Sequence, residues 1–452
     1  MDLVYRDFLT KFEEAMPARM DGDRRIGAEL KFPLVGENGS AAPYETVRAL
    51  WKHLFNLGWK VEYDPATEEV IGARKPGDRN DTVASCETGF CKVEFSLAHV
   101  GNLFDLDRMI GSLRDEIRPF CERQRVRLLG CGVHPVTRPG RDLLMRKSRA
   151  GVWNRIHSGN RCVPPEDGTD LHLFTINTAS HCHLNVARDE AIPLVNVLNG
   201  FAGAQIALTA NSSVWRGEVD ANYRCVAEKF WDWWMPDADR VGVPALCFSD
   251  LRDYVRSISS LKPVFVRRKG QPIILEDYES FSDFYQAGRV RGINMDGLEV
   301  SFVPAPDDLD LHNTCYWYNA RISRHYTVEN RANDQQPPDA LPAVAALTLG
   351  LASSLEEALE ELRQHDWQTL RDARGAACRA ALHGRAGHLY VADLAARMLD
   401  IARIGLCRRG LGEETFLEPL FRRLKVKRCP ADGAAELFEF GGAQALLSGR
   451  SL

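Results

Sequence analysis

Apolar and polar residues alternate along four short stretches of the chain. They are Gly27-Ala28-Glu29-Leu30-Lys31-Phe32, Val93-Glu94-Phe95-Ser96-Leu97, His181-Cys182-His183-Leu184-Asn185-Val186 and Val328-Glu329-Asn330-Arg331. A period of two predicts strands with one buried face. Their other face carries Glu29, Lys31, Glu94, His181, His183, Glu329 and Arg331, a richer set of carboxylates and imidazoles than solvated strands favour. Helical spacing predicts a first helix through Tyr5, Phe8, Leu9 and Phe12, and a second through Val47, Leu50, Trp51 and Leu54 that ends near Gly58. Leu106, Met109, Ile110 and Leu113 mark a longer helix, Arg127 to Val133 reads as another strand, and residues 191–209 read as one apolar helix.

Turn chemistry over residues 75–81 precedes the Glu87/Glu94 segment, and Pro164-Pro165-Glu166-Asp167-Gly168 is a loop before the His183 strand. From Ser354 onward the pattern is helical alone, with a Ser354/Glu357 capping box and a Leu394, Met398, Ile401, Ala402 stripe closing at Gly405. Strands and helices do not alternate regularly, so a doubly wound parallel sheet is not expected. The expectation is an α+β protein. An antiparallel sheet backed by helices fills residues 1–353, and a helical portion over 354–452 packs on it.

Composition narrows the class. Hydrophobic residues at 45% and charged residues at 26% of 452 suit a globular domain, and a net charge of -5 leaves no basic footprint for nucleic acid. The longest apolar run, Leu341 to Ala352, is too short to span a bilayer. The N-terminus shows no apolar signal region, so a cytoplasmic protein is expected. The 12 cysteines form no CxxC pair and are expected as buried small hydrophobes without a disulfide framework, one regulatory disulfide remaining open.

Each candidate residue has a plain structural alternative. Glu87 and Glu94 also fit a solvated loop acid and a sheet-edge acid, His181 and His183 fit a metal-binding HxH pair or satisfied core histidines, and Glu329 with Arg331 fits outward salt bridging. Together, four carboxylates and an arginine suggest Mg²⁺ holding a nucleotide's phosphates, because Mg²⁺ binds carboxylate and phosphate oxygens at once. No GxxxxGK[ST] loop is present, so such a site is not of the P-loop kind.

The order of these segments resembles the glutamate–cysteine ligase family, in its plant and proteobacterial branch. Ile26-Gly27-Ala28-Glu29 is similar to the family's G-x-E strand, Glu87-Thr88-Gly89 through Val93-Glu94-Phe95-Ser96 to its E-P-G…E-x-S segment, and Thr178 to Asn185 to its metal-site strand. Ala210-Asn211-Ser212-Ser213 resembles A-N-S-P before an arginine, Glu329 to Asp334 resembles E-x-R-x-x-D, and Leu406 to Leu417 resembles G-L-x-R-R-G…E-x-x-F-L.

The resemblance implies a glutamine-synthetase-like antiparallel sheet forming a funnel. It also implies an ATP-dependent ligase that phosphorylates a glutamate side-chain carboxylate, after which the amine of cysteine displaces the phosphate, as in glutathione biosynthesis. It implies Glu29, Glu87, Glu94, His183 and Glu329 as ligands to Mg²⁺ or Mn²⁺, and Arg331 as a phosphate clamp. Arg224 is implied for a substrate carboxylate and Asn185, with Lys31, for cofactor binding. Small-molecule substrates are the expected partners, without nucleic acid or membrane, for a monomer or homodimer.

Three departures stand out: Lys31 where many members carry a second Glu, Thr88 in place of Pro, and Asp142 where a Tyr often follows Gly-Arg. Lys31 would repel a metal there and is expected to reach a nucleotide phosphate, or else to extend to the rim and pair with an acid. Two other readings remain beside the cysteine ligase: a paralogue using another amine, and a non-catalytic paralogue that binds nucleotide or amino acid. A hydrolase built on His181 and His183 is the third.

Overall fold

The four alternating stretches do become strands of one sheet. In the computed structural model, which describes all residues except 1, 21, 23, 78–79, 157–158 and 236–238, nine strands form it. They are β1 (Ile26–Gly36), β2 (Lys60–Tyr63), β3 (Val70–Lys75), β4 (Thr82–Cys86), β5 (Lys92–Ser96), β6 (Val126–Leu128), β7 (Ser180–Leu184), β8 (Ala320–Ile322) and β9 (Val328–Asn330). Their order is β8-β9-β7-β1-β5-β4-β3-β2, all neighbours antiparallel, with β6 joining the far end of β1. Residues 78 and 79 of the expected turn lie outside the described residues.

One face of this sheet is the core. Ala28, Leu30, Phe32, Cys182, Leu184, Val328, Val93 and Phe95 are all buried there, and the helices Ala343–Ser353 and Arg188–Gly200 lie against β1, β7, β8 and β9. Asn330 is a polar residue on that face. It is satisfied by donating to Gln205 Oε1 at 2.7 Å and Thr348 Oγ1 at 2.8 Å, as a buried amide requires. Leu370, Ala377, Leu394 and Met398 belong to the same continuous core, so the C-terminal helices complete it.

Several local expectations are corrected. The strand expected over Arg127 to Val133 stops at Leu128, because Gly130 and Gly132 thread tightly past another loop: a Cβ on Gly132 would lie 2.4 Å from Asp334 Cγ. The apolar stretch 191–209 is two helices, Arg188–Gly200 and Ala202–Thr209, bent by 55° where Gly200 lies against Leu362. Among the described residues no single helix is long and apolar enough to cross a membrane. The 354/357 capping box does not form, since Arg408 donates to Ser354 Oγ at 3.2 Å and pairs with Glu357. The C-terminal portion is not helix alone, for Arg385–Ala386 and Leu389–Tyr390 pair as a short hairpin. A separate four-stranded sheet over residues 265–302 has short strands with too few alternations to read from sequence.

Gly405 does not end its helix. Val391–Arg409 runs on to Gly410, whose φ of 69° supplies the left-handed cap. Gly405 instead marks where this helix crosses Ala343–Ser353, and a Cβ there would fall 2.0 Å from the Gly350 carbonyl oxygen. Backbone cannot yield as a side-chain tip can. Gly405→Ala is therefore expected to cost about 1–3 kcal/mol, read as a lower urea midpoint with an unchanged slope. An unaltered midpoint would mean the helices separate freely.

Candidate active site

Antiparallel register builds the polar face residue by residue. Glu329 stands opposite His183 across β9 and β7, Glu29 opposite His181 across β1 and β7, and Lys31 opposite Glu94 across β1 and β5. Arg321 on β8 stands opposite Glu329. Gly27 stands opposite His183, where a Cβ would meet the His183 Cβ at an ordinary contact distance of 3.5 Å. The face forms the floor of a cavity of about 390 Å³, within the size range of small-molecule sites.

At its centre Glu29, His183 and Glu329 offer ligand atoms all within 4.8 Å of one another. His183 Nδ1 lies 2.9 Å from Thr327 Oγ1, and with the proton donated there Nε2 keeps its lone pair. That Nε2 is buried without a directed hydrogen bond, 3.3 Å from Glu29 Oε1 and 3.8 Å from Glu329 Oε1. Burial opposes a charge on His183, but the Glu29 and Glu329 carboxylates overcome it and raise its pKa. A divalent cation satisfies the same orphaned atom and both carboxylates, so the donor set fits a metal. Two carboxylates and an imidazole suit Mn²⁺ as well as Mg²⁺.

His181 has a different place. Its Nδ1 donates to Glu29 Oε2 at 2.9 Å, and burial, with Lys31 and Arg331 nearby, lowers its pKa to about 4. A neutral imidazole orienting Glu29 is what that provides. Glu329 is only 2% exposed and is gripped by Arg321 Nε at 2.7 Å and by Arg331. Burial alone would raise its pKa, but the two guanidiniums hold it well below the usual carboxylate range.

Lys31 divides the five expected ligands. Its ammonium lies 3.0 Å from Glu94, 3.1 Å from Glu87 and 3.5 Å from Glu29, and the residue is 5% exposed. Lys31 therefore does not extend to the rim; it sits buried and paired among Glu29, Glu87 and Glu94. Against the penalty of burial, those carboxylates raise its pKa. Burial, with Glu29 and Glu87 adding repulsion that Lys31 only partly offsets, raises Glu94 to about 7. Glu87 is held low despite burial by Lys31 and Lys92.

Arg224 and Asn185 are not brought to the cavity. Arg224 Nε donates to Asp432 at 2.9 Å on the last helix, and Asn185 Oδ1 accepts from the Arg25 backbone at the strand's end. The Asn211-Ser212 stretch is scaffold, donating its Asn211 backbone N–H and Ser212 hydroxyl to Asp334, each at 2.7 Å. The tail motif is scaffold too: Arg409 holds buried Glu413 at 2.6 Å, and Glu413 accepts from the Leu103 N–H that begins the Leu103–Gln124 helix. Sequence reading missed Lys92, Lys147, Arg149 and Arg321 in the lining. Arg321 carried a signal, as the third member of the alternation Trp317, Asn319, Arg321, Ser323, and so did Lys92, two residues before Glu94 on the same strand face.

The sequence profile of glutamate-cysteine ligase family 2 (GCS2) matches residues 25–444. A putative glutamate–cysteine ligase 2-3 of Rubrobacter xylanophilus is 25% identical over 351 residues, covering 75% of this chain and 79% of that one. A glutamate–cysteine ligase of Natronomonas pharaonis is 21% identical over 330 residues, 69% of this chain and 73% of that one. The crystal structure of glutamate–cysteine ligase from Francisella tularensis, in complex with AMP, superposes with a TM-score of 0.52 at 10% identity, over 96% of this chain and 88% of that one. A bifunctional glutathione synthetase from Pasteurella multocida gives 0.50 at 11% identity, over 98% of this chain and 53% of that longer one. At such identities the two structures share the fold, while the profile spans nearly the whole chain. The chain is thus a carboxylate–amine ligase belonging to glutamate–cysteine ligase family 2.

Proposed function

We propose that this chain uses ATP to join the side-chain carboxylate of glutamate, or of a close analogue, to an amine through an acyl phosphate. The observation that carries this reading is the Glu29, His183 and Glu329 triad, with its orphaned imidazole nitrogen, on the floor of a cavity lined by Arg321 and Arg331. A divalent ion held by the triad would neutralise charge on the transferring phosphoryl.

A carboxylate oxygen attacks the γ-phosphorus and ADP leaves. The amine nitrogen then attacks the acyl carbon, the C–N bond forms, and phosphate departs with the C–O electrons as the nitrogen loses its proton. Arg331 suits an acyl-phosphate clamp, since its planar fork matches phosphate oxygens while Glu329 fixes its position. Lys31 with Glu87 and Glu94 keeps the neighbouring ground charge-balanced with one metal fewer than an all-carboxylate site would draw. The names of the relatives make cysteine the first amine to try, with γ-glutamylcysteine and ADP as products.

Hydroxylamine tests the activation step without any natural amine. With glutamate, ATP and Mg²⁺ or Mn²⁺ all present, a hydroxamate and ADP should form in equal amounts. AMP with pyrophosphate would mean adenylation, and no hydroxamate with any glutamate-like acid would remove the ligase assignment.

A further inference from the structure

Beside its polar floor the cavity has a second wall, which is aromatic. Trp153, Phe174, Trp231, Trp234 and Trp317 line it. Trp231 and Trp234 lie one helical turn apart on Val226–Trp234, and Trp153 stands on Ser148–Ile156. Trp317 lies four residues before Arg321, in a two-residue strand that pairs with Val241–Gly242 just ahead of β8, so wall and floor adjoin along the chain. The rings already support one another: Trp317 stacks on Trp231 with centroids 5.4 Å apart and meets Trp153 and Trp234 edge-on at 5.3 and 5.1 Å. Trp231, Trp234 and Trp317 are nevertheless only half-buried.

Arg149 stands beside this wall, and Lys147, two residues before it, lines the same cavity toward the floor. Arg149 lies over the Trp153 ring at 5.2 Å, and among the described residues its guanidinium donates to Thr314 alone, to the carbonyl at 3.0 Å and the hydroxyl at 3.2 Å. Neither Arg149 nor Lys147 makes an ion pair among the described residues, although the floor's cations Lys31, Arg321 and Arg331 all do. Burial disfavours the charge of both Arg149 and Lys147, a cost that an anionic ligand would relieve.

We infer that the amine acceptor is an α-amino acid with an aromatic side chain, its ring against the tryptophan wall and its carboxylate on Arg149 and Lys147. This rests on the ligase reading above and names the substrate that reading leaves open. Cysteine presents one methylene and a thiol, too little apolar surface to cover such a wall. A flat ring gains edge-to-face and stacked contacts there as well as burial. The acceptor's amino nitrogen attacks the acyl carbon, releasing phosphate and then its own proton, so the atoms balance as for any amine.

The experiment compares L-phenylalanine, L-tryptophan, L-cysteine and phenethylamine as acceptors for the full chain with glutamate, ATP and Mg²⁺, reading ADP release and product mass. Phenylalanine or tryptophan should exceed cysteine in kcat/KM by about tenfold or more, the scale of discrimination a shaped apolar pocket supplies. Phenethylamine, which lacks the carboxylate, should trail phenylalanine by about tenfold, and Arg149→Gln should shrink that gap. Phenylalanine, which does not absorb where tryptophan is excited, should also perturb the protein's tryptophan emission saturably in the presence of ATP and glutamate. Cysteine as the best acceptor, or phenethylamine equal to phenylalanine, overturns the inference. Failure of every amino acid while hydroxylamine still yields hydroxamate also overturns it and leaves the ligase reading standing; loss of hydroxamate formation strikes the ligase reading itself.

Discussion

Lys31→Ala is expected to unbalance the site more than any other single truncation on the floor of the cavity. Its ammonium is within 3.5 Å of Glu29, Glu87 and Glu94, and without it three carboxylates face one another. Removing one partner from a buried ion cluster costs about 3–5 kcal/mol, because the remaining charges are left uncompensated. Glu94, already raised to about 7 by burial, would be driven further toward its protonated form. The variant should melt several degrees lower and lose most turnover at ordinary Mg²⁺. Lys31→Glu should behave differently: four carboxylates invite a second ion, so melting temperature and turnover should both recover as Mg²⁺ or Mn²⁺ rises. Melting curves and steady-state rates across a metal titration read both effects. If neither variant changes its stability or its metal dependence, Lys31 does not stand in for a cation.

Glu329→Gln carries the second large effect, and it separates two roles. Glu329 balances the buried Arg321 and Arg331 and offers an oxygen to the His183 side of the triad. A neutral amide keeps the shape but leaves two guanidiniums facing each other, so stability should fall by about 3 kcal/mol. Turnover should fall by roughly a hundredfold or more, the scale of losing one preorganised electrostatic partner of a developing charge. Glu94→Gln, by contrast, removes a charge that burial already weakens, and on this structure it should cost less than Glu329→Gln in both measures. Equal losses in the two variants would mean that Glu94 is as much a metal ligand as Glu329. Near-normal turnover of Glu329→Gln at saturating Mg²⁺ would make Glu329 a purely structural acid.

Much of the site was legible because strand periodicity is local. Glu29 and Lys31, or His181 and His183, must share a face wherever their strand goes, and one buried face fixes which. Register between strands is not local. That Glu329 faces His183, and that Lys31 faces Glu94, follows from pairing over long separations. This explains why one set of five ligands was expected where the fold makes two groups. Arg224 failed for a related reason: its position was carried across a shifted motif, and an acid on the last helix claims it. Gly405 read as a helix end because a glycine after an apolar stripe often is one; a close helix crossing leaves the same local mark. Of the tryptophan wall only Trp317 left a local sign, in the alternation that also holds Arg321; the wall as a whole comes from two helices and an extended segment that only the tertiary fold brings together.

On the proposed function, a carboxylate is activated by phosphorylation on the floor that carries Glu29, His183 and Glu329. Glutamate labelled with ¹⁸O in its side-chain carboxylate tests it most directly, with ATP, a divalent ion and an accepted amine, hydroxylamine included. Through an acyl phosphate, one labelled oxygen must leave with the phosphorus, so ¹⁸O should appear in inorganic phosphate and none in AMP. Label found in AMP, or amide formed with unlabelled phosphate, would contradict the account.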